Sequence, residues 1–437
     1  MKTGEEFKWD PRSRQPVQIG GRMYNFLRGA AHIVPMAEMC IKNLLHLPGV
    51  YGRYAAYKKK SAVRTLSDSC TGLAVSWDRD NSEHLFKACR ELKPGSVLVR
   101  VLSWEEDTYR DVREFVQGLD FRRDTVVIAV IQDRECVKHP GLWKERFSRI
   151  LELFSPCARY FQIGQAPNRK KWGIRSPREY IRMCRDAYEL KTEEVEFIGP
   201  SVIDFELNYM DMLLSSISTE WLQVVNSLLY VDRRGMPENM QWPSFDLSNK
   251  IRAVRAVADR CGFDEMPLWV TETNWPIQGT GRSSPAGRAV RISEEKYADY
   301  LSRYFLLAFA TGIPDRIFWW ELCAAGYGLV DPSDGGFRKR SGYYAFKTAA
   351  SLLPGSETGG CVCRDGLYIT RFRKDGGTVF AVWNTQKRMD YEPQAEPERV
   401  TSYTGEELAY NGSMEVSGSP VFIHYRSGVD IEEAFTS

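Results

Sequence analysis

Glu272 closes the stretch Met266 to Pro276, MPLWVTETNWP, in which Leu268, Trp269 and Val270 form a short apolar run that ends in Thr271, Glu272, Thr273, Asn274 and a Trp-Pro break. The pattern predicts a carboxylate delivered at the tip of a buried strand. In a parallel α/β protein that tip borders the ligand, because crossover helices cover the sheet faces and leave the carboxyl ends of the strands open. The plainer alternative is a strand end paired with a neighbouring arginine.

Other strand ends carry similar residues. Trp77 and Asp78 follow the first apolar run; Arg100 lies in the second and leads into Trp104 and Glu105; Glu135 follows the third. The fourth gives Gln165, Asn168 and Arg169, the fifth Asp204 and Glu206, the sixth Tyr230, the seventh Asn274, and the eighth Trp319 and Trp320. Clefts that mix tryptophan, carboxylate and amide suit sugars, whose C–H faces stack on rings while their hydroxyls take paired hydrogen bonds. Lys170 and Lys171 lie close behind the fourth strand, within reach of an acidic sugar.

The elements that must position these residues alternate. Strand candidates are Gly72–Ser76, Ser96–Leu102, Thr125–Ile131, Arg159–Ile163, Val195–Ile203, Val225–Tyr230, Leu268–Thr271 and Arg316–Trp320, and segments with helical spacing follow many of them, Pro177–Leu190 and Glu294–Ala310 among them. Eight such units predict an α/β chain built as a (β/α)8 TIM barrel. A doubly wound sheet would need a glycine-rich turn after an early strand, and none follows Val75 or Leu102. After Pro354-Gly355 the texture changes to alternating runs and turns, Gly366–Arg373 and Thr378–Trp383 around Asp375-Gly376-Gly377, which predict a small antiparallel β domain. The expected layout is an N-terminal polar tail and helical extension over 1–69, the barrel over 70–355, the β domain over 356–428 and an acidic tail over 429–437. The helix is expected over Ile19–Tyr57, packed on the barrel or touching a partner or membrane surface.

With Lys+Arg 59 against Asp+Glu 57 the net charge is only +2, and the signs are interspersed, which argues against nucleic acid as a partner. No segment approaches the roughly 20 apolar residues of a membrane span, and the charged opening MKTGEEFKWDPRSR lacks the apolar core of a secretory signal, so a cytoplasmic protein is expected. The 10 cysteines are scattered without a CxxC pair and read as reduced thiols. Neither they nor the five histidines make a metal-ligand spacing, so no metal or other cofactor is implied.

VTETNWP at Val270–Pro276, FWWEL at Phe318–Leu322, YFQIGQAPNR at Tyr160–Arg169 and GYYAF at Gly342–Phe346 together resemble the clan A glycoside hydrolases. The likeness is greatest to the family 39 type, β-xylosidase-like and exopolysaccharide endoglycosidase-like barrels with an accessory β domain, and it spans about Cys70 to Tyr425. The resemblance implies a carbohydrate substrate and a retaining O-glycosyl hydrolase or transglycosidase, in surface polysaccharide metabolism. It makes Glu272 the nucleophile, Arg100 the residue that orients it and Tyr230 the hydroxyl bonded to it. Trp319 or Trp320 becomes the floor of the sugar subsite.

The chain departs from that pattern at the fourth strand, where the clan carries Asn-Glu-Pro and this sequence reads Gln165-Ala166-Pro167. A retaining glycosidase uses two carboxyl groups, one attacking the anomeric carbon and one protonating the leaving oxygen. Alanine supplies no proton. General acid assistance contributes about 10²- to 10⁴-fold, roughly 3 to 5 kcal/mol, so its loss matters most for poor leaving groups. Three explanations follow: another acid reaches in, with Glu206, Glu135 and Glu105 as candidates; the barrel is a pseudoenzyme that binds glycans or scaffolds their assembly; or the substrate is an activated sugar whose leaving group needs no proton.

Overall fold

A computed structural model describes residues 7–17, 33–60, 63–232, 235–283, 291–333 and 335–426. Eight parallel strands close into a barrel: β1 (Thr71–Ala74), β2 (Ser96–Leu102), β3 (Val126–Ile131), β4 (Tyr160–Ile163), β5 (Glu196–Ile203), β6 (Val224–Leu228), β7 (Leu268–Thr273) and β8 (Arg316–Trp319), with β8 hydrogen-bonded to both β7 and β1. The (β/α)8 barrel expected from the sequence is present, and a separate antiparallel sheet follows it.

Alternation along each strand divides the side chains. Val97 and Val99 point outward into the layer shared with the helices, whereas Leu98 and Arg100 point into the barrel; on β8, Ile317 and Trp319 go out while Phe318 and, beyond the strand, Trp320 go in. The helices cover the outer layer with stripes at helical spacing. Pro177–Tyr188 buries Tyr180, Met183, Cys184 and Ala187, and starts with Ser176 accepting from the Glu179 amide, which satisfies one of the unpaired donors of the first turn. Asp246 and Ser293 cap Leu247–Arg260 and Glu294–Phe309 in the same way.

The C-terminal sheet runs Arg399–Ser402, Val421–Tyr425, Gly377–Asn384, Leu367–Lys374, Glu357–Arg364, and ends on Arg64–Thr65. That last strand comes from before the barrel, within the segment read as N-terminal extension: Arg64 and Thr65 pair with Thr358 and Glu357. The hairpin turns on Asp375 (φ 51°) and Gly376 (φ 79°), both left-handed, as a two-residue turn matched to the strand twist requires. One sheet face, with Ala381, Trp383 and Phe422, joins the barrel's outer core; the other, with Phe380, Val382 and Ile423, has a core of its own. All 10 cysteines are free thiols.

A helix over Ile33–Lys59 lies against the helices after β5 and β6, through His46 Nδ1 and Asp211 Oδ1 at 2.8 Å and Tyr57 OH donating to Asp259 Oδ2 at 2.7 Å. The part of the expected helix before residue 33 lies outside the described residues. The far side exposes Ile41, Leu44, Leu45 and Tyr51. No helix among the described residues is long and apolar enough to cross a membrane.

Where barrel and β domain meet, Glu238 Oε1 accepts from Trp383 Nε1 at 2.7 Å and faces Arg303 Nε at 3.3 Å, with side chains 2% and 4% exposed. Arg303→Ala leaves that carboxylate buried without its cation and is expected to cost about 3 to 5 kcal/mol, read as a fall in urea midpoint. A change below about 1 kcal/mol would show that the pair does not hold the domains together.

Candidate active site

The barrel interior is built in layers. Toward the amino ends of the strands Tyr160, Trp269 and Phe318 fill the bore; Trp269 packs on Tyr160 and Phe318 at 4.8 and 6.0 Å between ring centroids. Above them lies a polar layer. Asn226 donates to Thr271 Oγ1 at 2.6 Å and to Gln162 Oε1 at 3.0 Å, and Gln162 donates to Gln165 Oε1 at 2.8 Å. Because the Gln165 oxygen is taken, its NH2 group points the other way, and it donates to Glu272 Oε2 at 2.7 Å.

Glu272 is therefore the upper end of a hydrogen-bonded chain through the barrel. Arg100 from β2 also donates to Oε2, and the Tyr230 hydroxyl beyond β6 donates to Oε1. Plain alternation would point Thr271 and Glu272 to opposite faces, yet both bond to interior groups. The reason is an irregularity in β7: Val270 pairs with Ile317 but Thr273 with Trp319, so three steps on one strand match two on the other. Such bulges re-aim side chains next to sites.

Above Glu272 is a cavity of about 160 Å³. Arg100, Arg169, Tyr230, Asn274 and Trp320 of the expected residues line it, together with Asp204, Lys171 and Trp172. Trp320 stacks on the Arg100 guanidinium at 3.4 Å. The structure separates the two candidates for the floor: Trp320 faces the cavity, whereas Trp319 is fully buried among the helices and donates Nε1–H to Tyr297 OH at 2.7 Å. Trp77 also lies away from the cavity, beneath Arg79 at 5.7 Å. Asn168 is spent on structure, donating to Ile203 O and Glu206 Oε2 at 2.8 and 2.9 Å.

No carboxyl occupies the fourth-strand position, since Ala166 is wholly buried in the inner layer. Of the three substitute acids none lines the cavity. Glu206 stands behind Arg169, which it pairs with; Glu135 faces Lys138 and His139 at 3.4 and 3.5 Å; burial raises the Glu105 pKa, but its carboxyl is elsewhere. The carboxyls that line the cavity are Glu272 and Asp204, and Asp204 accepts from Arg169 at 2.6 Å.

Sequence reasoning missed one element entirely. The segment read as a polar tail forms a hairpin, Trp9–Asp10 paired with Gln15–Pro16, and Ser13, Arg14 and Gln15 from it line the cavity. Trp9 and a Pro-containing turn were the available signals, but two-residue strands are too short for alternation to show.

No protein-family model matches the chain, and no curated protein matches it. Solved structures do. A family 39 glycoside hydrolase from Bacteroides cellulosilyticus WH2 aligns with a TM-score of 0.65 at 13% identity, covering 83% of each chain. A GH30 endoxylanase from Clostridium papyrosolvens C71 gives 0.56 at 12% identity, over 84% of this chain and 98% of its own. A GH51 arabinofuranosidase from Xanthomonas axonopodis pv. citri gives 0.56 at 11%, over 83% and 97%. These likenesses show the fold, a barrel with a β domain, which the chain shares with these glycoside hydrolases.

Gln162→Leu removes the link that sets the Gln165 amide and leaves polar groups of Asn226 and Gln165 short of partners. The expected loss is about 1 to 3 kcal/mol of stability, measured by urea unfolding. An unchanged midpoint would show that the chain of amides does not depend on that link.

Proposed function

We propose that the protein acts on saccharides by the retaining route, with Glu272 as nucleophile. The observation that carries this reading is a buried carboxylate at the barrel mouth, held by Arg100, Tyr230 and Gln165 beside a tryptophan-floored cavity. Three donors fix the carboxylate's orientation, and the Trp320 ring, stacked on Arg100, borders the space a sugar would enter. In the first step a Glu272 oxygen bonds to the anomeric carbon as the leaving oxygen departs with its electron pair; in the second, water or another hydroxyl bonds to that carbon, its proton passes to solvent, and Glu272 leaves as the carboxylate. Tyr230 and Arg100 take up the charge that returns to the carboxylate when the adduct breaks.

Ala166 decides which substrates suit this site. With a methyl group in place of the proton donor, a sugar bearing an acidic leaving group loses little, whereas an alkyl leaving group forfeits about 10²- to 10⁴-fold. Transfer from activated sugars fits this constraint. The same alanine favours a second reading, a barrel that holds a glycan without cleaving it.

A panel of 2-fluoro glycosyl fluorides is expected to add one glycosyl mass to the peptide carrying Glu272 and none in Glu272→Gln. Aryl glycosides with acidic leaving groups should turn over, faster with azide, while alkyl glycosides should not. An adduct on another residue contradicts the assignment, and alkyl glycosides cleaved as fast as aryl ones would mean that a proton donor is present. No adduct together with measurable oligosaccharide binding would select the second reading.

A further inference from the structure

The hairpin over residues 7–17 brings one half-buried ring, Trp9, against the barrel's inner core and otherwise rests mostly on polar contacts. Only Ser13 and Pro16 in it are buried, and its paired strands are two residues each. A two-stranded hairpin is marginal by itself, so its place is set by what it touches. It touches Arg100, Lys171 and Trp172, which line the cavity, and Glu321, Tyr327 and Trp104 beyond that lining. Arg14 Nη1 donates to Glu321 Oε1 and to Cys323 O at 3.0 Å, and the Arg14 carbonyl accepts from Arg100 at 3.1 Å, the same arginine that donates to Glu272. Ser13 O accepts from Tyr327 OH at 3.0 Å, and Gln15 Oε1 from Lys171 at 2.6 Å. Phe7 and Trp9 set their rings edgewise to Trp104 at 5.3 and 5.4 Å, and Trp9 meets Trp172 at 6.1 Å.

Arg14 has φ 50°. That left-handed conformation is disfavoured for an L-residue, and contacts at both the backbone and the guanidinium end of this residue hold it there. Across Ser13, Arg14 and Gln15 the hairpin's anchors are a phenol, a carboxylate, a guanidinium and an amine, with tryptophan rings beside Phe7 and Trp9, groups that also suit a hydroxylated ring.

We propose that the hairpin is a competing occupant of the saccharide site: it holds the groups a sugar would use, and it lifts before a saccharide reaches Glu272. This rests on the reading of Glu272 given above and adds Glu321 and Tyr327 to the groups that a sugar meets. Glycan binding and hairpin docking are then mutually exclusive, and anything that draws the hairpin away raises the apparent affinity for glycan.

The test uses the full-length chain and begins without sugar. Arg14→Glu sets a carboxylate against Glu321, with Arg14→Gln as the milder companion. In Arg14→Glu, trypsin is expected to cut after Arg12 about tenfold faster than in wild type, and a carbodiimide with an amine nucleophile to modify Glu272 about tenfold faster, read by peptide mass. A synthetic peptide of residues 7–17 added to the variant should slow modification of Glu272 while the cut after Arg12 stays fast, because the chain's own hairpin remains displaced. Equal rates in variant and wild type, or a peptide that leaves modification of Glu272 unchanged, would overturn the proposal. Labelling by 2-fluoro glycosides separates the two readings: wild type labelled as fast as the variant leaves Glu272 as nucleophile and removes the competing occupant. An uncovered Glu272 that no glycoside labels does the reverse.

Discussion

A buried carboxylate that three strands must serve is the constraint on which the rest of this structure turns. Glu272 is 7% exposed and takes donors from Arg100 on β2, Gln165 after β4 and Tyr230 after β6. Burying a carboxylate without such donors costs several kcal/mol, and removing one partner leaves the charge uncompensated. The donors arrive only if the ring closes with the right register, because each sits on a different strand. The β7 irregularity is part of the same requirement, since a regular strand would turn Glu272 away from all three. Site and fold are therefore mutually dependent: the closed barrel gathers the donors, and the polar layer of Gln162, Asn226 and Thr271 fixes one of them from below.

Much of this was legible in the sequence for physical reasons. Fully buried parallel strands read as apolar runs, and Ser96–Leu102 and Leu268–Trp269–Val270 are such runs; a polar residue at the end of each then marks the open face. Where reading went astray, the information was not local. Trp319 and Trp320 are chemically alike, and only strand parity, with Phe318 inside, assigns one to the cavity and the other to the outer core. Asn168 and Glu206 look like site residues until tertiary contacts commit them to each other and to Arg169. The hairpin over residues 7–17 and the strand Arg64–Thr65 are held by partners from 86 to 314 residues away, and neither has a periodicity of its own. The charges tell a similar story: Lys171, a candidate for an acidic sugar, donates to Gln15, and the cavity arginines face Glu272, Asp204 and Glu321.

The alanine at position 166 sets this chain apart from a two-carboxyl glycosidase. Under the proposal that Glu272 is the nucleophile, an alanine there would leave attack supported and departure of the leaving group unassisted. The neighbouring Gln165 links two layers, its oxygen accepting from Gln162 and its NH2 group donating to Glu272.

The most direct measurement is a crystal structure of the chain with a 2-fluoro sugar trapped at the site. The account predicts a sugar ring on Trp320, its anomeric carbon bonded to a Glu272 oxygen, the hairpin displaced, and no carboxyl within hydrogen-bond reach of the leaving-group side. A sugar bound away from Glu272, or a carboxyl poised opposite it at about 5 to 5.5 Å, would contradict the account.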